Sequence, residues 1–105
     1  MNALPSTPTL KQLQEYVAAT ERDRDFHDQG AIEKCLLLGE EIGELYKAVR
    51  KQSAMGVDPA SMEHSVGEEL ADILNYVLAL ANRFDIDLES AFREKEIKNA
   101  KRTWR

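Results

Sequence analysis

Residues 68–84, EELADILNYVLALANRF, constrain the fold more than any other stretch of this 105-residue chain. Leu70, Ile73, Val77, Leu80 and Phe84 recur at steps of three and four, the spacing of one helix face. Ala71, Leu74, Leu78 and Ala81 carry the apolar character well past that stripe. A helix that is apolar nearly all round is buried nearly all round. One domain of this length buries only about two-thirds of its unfolded surface, so the segment predicts a homodimer that packs these helices together.

The rest of the chain reads as helix too. Thr9 is placed to cap a first helix with Leu10, Leu13 and Val17 on one side. The charged run ERDRDFHDQG, ending in Gly30, is expected to hold the first turn. A second helix is expected from Ala31 to about Met55, with Leu38, Ile42, Leu45 and Val49 inward. Gly56 suits its end, and Asp58-Pro59 suits the start of a third helix reaching about Phe84. Asp87 can cap a fourth, from Leu88 to about Arg102. No alternating pattern argues for a strand. The expectation is an all-α, four-helix bundle-like domain over residues 9–105, behind a loose leader at residues 1–8.

Composition narrows the partners. The net charge of −5 argues against a broad grip on a nucleic-acid polymer. It leaves room for a phosphorylated small molecule, because a bound divalent cation reverses the local sign. No signal peptide and no membrane-length apolar run is seen, so a cytoplasmic protein is the default expectation. Cys35, the single cysteine, sits in KCLLLG and reads as a buried thiol.

The acids stand out against this background. GEEIGEL at 39–45 and GEELADIL at 67–74 place Glu40, Glu41, Glu44 and Glu68, Glu69, Asp72 in one repeated pattern. At 100° per residue, Glu41 and Glu44 share a line with Leu37 and Ala48. Glu69 and Asp72 share one with Tyr76 and Arg83. Each line lies about 100° from its core stripe, at the margin of the packing face. Antiparallel packing of the two helices would bring four carboxylates together. Acids on an amphipathic helix are most often a solvated face. Here the positions four residues after Glu41, Glu44 and Glu69 hold Leu45, Ala48 and Ile73 rather than lysine, so no helical ion pair offsets the repulsion. Hard oxygen ligands suit Mg²⁺, or Mn²⁺ in its place. A di-iron site would want Glu-x-x-His, and neither His27 nor His64 follows a glutamate by three.

The ordered set Glu40-Glu41-x-x-Glu44 then Glu69-x-x-Asp72, followed by a closing Lys95-x-x-x-Asn99-x-x-Arg102, resembles the all-α nucleoside triphosphate pyrophosphohydrolases of the MazG-like group. The likeness runs over about residues 10 to 104. It implies Mg²⁺-dependent cleavage of a nucleoside or deoxynucleoside triphosphate between the α- and β-phosphates, giving a monophosphate and pyrophosphate. It also implies assembly as dimers or dimers of dimers. Glu41, Glu44, Glu69 and Asp72 become the metal ligands. Glu40 or Glu68 becomes the group that orients a water or holds a further ion, with the choice open. Lys95 and Arg102 would grip phosphates and Asn99 would add a hydrogen bond; alternatively they form a basic last turn that complements the helix dipole. Tyr76 can reach the ligand or close the core boundary, and His27 can line the pocket or sit in a surface turn. Relatives carry a basic and an amide residue before the acidic motif, and Lys34 and Gln29 are the candidates here. Two other readings remain: a helical dimerisation or adaptor module with merely exposed acids, and a phosphoribosyl-ATP pyrophosphatase.

Overall fold

A computed structural model describes residues 3–25, 28–53 and 65–102. Four α-helices make up the described chain: α1 (Leu10–Asp23), α2 (Ala31–Gln52), α3 (Val66–Arg83) and α4 (Leu88–Ala100). No strand occurs among the described residues.

The helix starts follow local chemistry. Thr9 and Gln12 form a capping box on α1, each side chain satisfying the other's backbone N–H. The Asp87 side chain accepts from the Ser90 N–H at the start of α4. The cap of α3 is Ser65, which accepts from the Glu68 N–H. Asp58, Pro59 and the expected end of α2 at Met55 and Gly56 lie outside the described residues. After α3 the chain reverses through Asp85, held at φ 53°, and the Ile86 N–H returns to the Ala81 carbonyl at 2.9 Å. That left-handed residue and six-to-one bond close the helix end and set the departure of α4.

Helices α2 and α3 share the most extensive interface; α1 packs on α3, and α4 on α1. Val17, Leu78 and Ala79 form the core, flanked by Leu10, Leu13 and Leu88. A polar clasp fastens α1 to the α3–α4 turn: the Gln14 amide donates to Asn82 Oδ1 and to the Ile86 carbonyl, and accepts from the Leu88 N–H.

The packing corrects the expected core. Leu38, Ile42, Leu45, Ile73, Val77 and Leu80 are only half-buried. Val49 is exposed, as are Leu70 at 52% and Phe84 at 63%. On α2 the side turned inward is the acid line, bearing Lys34 and Ala48, while α3 buries Glu69 and Ala79 of its acid line together with Leu78 and Ala81. Among the described residues α1 and α2 are the helices that pack extensively on α3, and Leu70 and Leu74 of its apolar surface stay open. The radius of gyration agrees: 16.4 Å, against about 13 Å for a compact domain of this length. Cys35 is exposed rather than buried. It stands 100° around α2 from the inward Lys34.

Candidate functional site

The rotation of α2 and α3 that turns their acid lines toward each other builds the site, with Glu69 buried, Glu41 half-buried and Asp72 exposed. Lys34, Leu37 and Glu41 follow one another at steps of three and four along α2, and Glu69, Asp72, Tyr76 and Ala79 do so along α3. Glu41, Glu69 and Asp72 each offer a carboxylate oxygen, and these oxygens lie within 4.8 Å of one another. Glu69 is only 2% exposed. Burial pushes the Glu41 carboxyl above its usual 4.5; a hydrogen bond with Glu69 and the charges of Asp72, Glu69 and Glu44 push the same way. Three close hard-oxygen donors form a set that fits a small divalent cation.

Beside the trio lies a cavity of about 330 Å³, with Glu41, Asp72, Tyr76, Lys34, Glu21 and Thr20 in its walls. Its size is at the lower end of ligand pockets. Lys34 is 5% exposed. Its Nζ is 3.0 Å from Glu21 Oε2 and 5.5 Å from the centre of the Tyr76 ring. Arg83 grips the same carboxylate with both terminal nitrogens, at 2.6 and 2.9 Å, and its Nε donates to the Gln29 carbonyl at 2.8 Å. Burial works to raise the Glu21 carboxyl, but hydrogen bonds from Arg83 and Lys34 and their charges outweigh it and hold it below 4.5. Tyr76 is held above its ordinary 10.0 by burial and by the charges of Glu41, Asp72 and Glu40.

The expected site residues divide on this geometry. Glu41, Glu69 and Asp72 converge, while Lys34, Gln29 and Tyr76 line the cavity beside them. Glu44 is exposed, one turn from Glu41 and close enough for its charge to act on it. Glu40 and Glu68 are exposed. Lys95, Asn99 and Arg102 are not in the cavity wall; Lys95 and Asn99 ride on α4, which packs on α1, Arg102 lies just past its end, and the Asn99 amide donates to Glu96 at 3.3 Å. His27 lies outside the described residues. Glu21 was hidden in a run taken for a turn. Its signal was its place four residues after Val17 and seven after Gln14, on the buried line of α1. Arg83 was visible on the acid line of α3, but nothing in the sequence told of its partner.

The two longest helices of this all-α domain carry converging carboxylates to a cavity that Lys34 also lines, a donor set and a cation side by side. Residues 29–104, well over half of the chain, match the model of the MazG nucleotide pyrophosphohydrolase domain, and the chain belongs to that family. No curated protein matches the chain. Among the described residues no helix is long and apolar enough to cross a membrane.

Proposed function

We propose that this domain hydrolyses a nucleoside or deoxynucleoside triphosphate between the α- and β-phosphates, with Mg²⁺ as its metal and Mn²⁺ as a substitute, and releases the monophosphate and pyrophosphate. The observation that carries the reading is the meeting of opposite charges at one cavity, with Glu41 and Asp72 of the carboxylate trio and buried Lys34 all in its wall. A divalent ion bound by the trio would polarise phosphate oxygens and make its water a better nucleophile. Glu41, Glu69 and Asp72 hold the ion, with Glu44 reaching it from the next turn. Exposed Glu40 or Glu68 orients the attacking water. Lys34 offsets phosphate charge, and Tyr76 closes the wall beside it. The role that fits is removal of non-canonical or surplus nucleotides.

The exposed apolar residues Leu70, Leu74 and Val49 support self-association. A second copy would cover them. It would also give Lys95, Asn99 and Arg102 a route to a site that α4 does not line within its own chain. Sedimentation at micromolar concentration is expected to give a dimer or tetramer; a stable monomer would refute this part.

The activity test is a panel of the eight common ribo- and deoxyribonucleoside triphosphates with Mg²⁺, products resolved by ion exchange. Monophosphate plus pyrophosphate, abolished by chelator and by Glu41→Gln, is the expected result. Diphosphate plus phosphate would place the cleavage elsewhere. No turnover, together with no effect of Mg²⁺ on the melting temperature, would favour an adaptor module.

A further inference from the structure

We propose that Glu21 of α1, outside the family match that begins at residue 29, is a positioning residue that fixes Lys34 on the cavity wall so that its ammonium meets the polyphosphate chain in one orientation. This rests on the hydrolase reading above.

Lysine is a flexible side chain, and ordering it during binding weakens affinity unless the order already exists. Here it exists from two sides. Glu21 Oε2 lies 3.0 Å from Lys34 Nζ, and the Tyr76 ring stands 5.5 Å away. Glu21 is itself immobile: Arg83 clamps both of its oxygens, and it is 7% exposed. A bidentate guanidinium–carboxylate pair is rigid in a way that an ammonium alone is not. Arg83 in turn is tied to the Gln29 and Ala79 carbonyls, so α1, α3 and the entry to α2 all fix the place of one lysine.

The charge balance suits the task as well. Within this triad one carboxylate is shared by two cations, so Glu21 orients Lys34 while dividing its own charge between Lys34 and Arg83. Lys34 and Glu21 both line the cavity that Glu41 and Asp72 line, so a phosphate chain held at the carboxylates through a cation lies beside Lys34.

The test measures binding of pyrophosphate to the full chain with Mg²⁺ by calorimetry, for the wild type, Glu21→Gln, Glu21→Asp, Lys34→Met and the two double variants. Glu21→Asp keeps the charge and is the variant best placed to fold; its shorter side chain cannot reach both cations. Glu21→Gln is expected to weaken binding roughly tenfold, the size of coupling seen between contacting groups, and Glu21→Asp by less. Neither change is expected to weaken it further once Lys34 is Met. With a nucleoside triphosphate, Glu21→Asp should raise KM and leave kcat nearly unchanged. Glu21→Asp with wild-type affinity, losses that recur in full without Lys34, or a wild type that binds no pyrophosphate would each overturn the proposal. A wild type that binds pyrophosphate but cleaves no triphosphate would instead retire the activity, while the Glu21–Lys34 coupling would still be decided by the binding data.

Discussion

Two charge clusters meet at one cavity, each with two members in its wall, and they are built in opposite ways. Glu21, Lys34 and Arg83 are joined by three contacts of 2.6 to 3.0 Å. Glu41, Glu69 and Asp72 bring three groups of one sign of charge within 4.8 Å of one another. The difference appears in the carboxyls themselves: Glu21 is held below 4.5 and Glu41 above it. A compensated cluster holds the fold in place. A cluster of like charges costs stability until something from outside neutralises it. Proximity of charged residues alone therefore does not mark a ligand site; whether the partners carry opposite or like charge separates the frame from the socket.

The largest expected effects come from breaking each cluster in turn, and they should cross. Glu69→Gln or Asp72→Asn should lower pyrophosphate release at least about 100-fold, because several kcal/mol of metal assistance is lost. Without metal, neither should lower the melting temperature, since repulsion is relieved. Glu21→Gln should do the reverse in the thermal assay. It leaves two buried cations short of their shared anion, at a cost of about 3 kcal/mol, or more than about 10 °C for a domain of this size. Equal thermal losses at both clusters would dissolve the distinction.

A smaller effect should come from Mg²⁺ itself. At about a hundred times its dissociation constant, a ligand of the folded state alone adds about 2.7 kcal/mol. That rise should vanish in Glu41→Gln. It should also shrink in acid, because protons compete for the Glu41 carboxyl. Glu41 has a raised folded value, so its repulsion is present above that value and fades as the pH falls through it. Glu21 has a lowered one, so its contribution is complete above about 4.5 and is lost only as the pH falls through the lower folded value. The thermal response to Mg²⁺ should therefore fail at a higher pH than the fold does. Melting curves with and without Mg²⁺ across the acid range would show the order, and simultaneous failure would contradict it.

Much of this was legible in the sequence, for identifiable reasons. Thr9 and Asp87 announced their helices because capping is local chemistry. The acid motifs announced their helix lines because periodicity fixes direction. The interface angle was not legible. Leu38 and Ile42 look like a core stripe, yet α2 turns Lys34 and Ala48 inward, where Glu21 satisfies the lysine. A buried lysine is improbable from sequence alone. It becomes reasonable only when Glu21, distant in sequence, is known to meet it. Arg83 was equally opaque, since its partner lies on another helix.

The smallest effect tests that rotation of α2 directly. Cys35 follows Lys34, and if Lys34 faces the cavity then Cys35 must face away. Cys35→Ser is accordingly expected to change stability by less than about 0.5 kcal/mol, as at an ordinary surface position. A thiol packed in the core would behave otherwise: replacing it with a hydroxyl that lacks a hydrogen-bond partner would cost about 1 to 3 kcal/mol. Urea unfolding of the two proteins with a shared slope separates these outcomes. A cost in the larger range would mean that α2 is turned toward the stripe of Leu38 and Ile42. That turn would also swing Glu41 away from Glu69 and Asp72, so a near-neutral serine at position 35 is a condition for the carboxylate trio to exist.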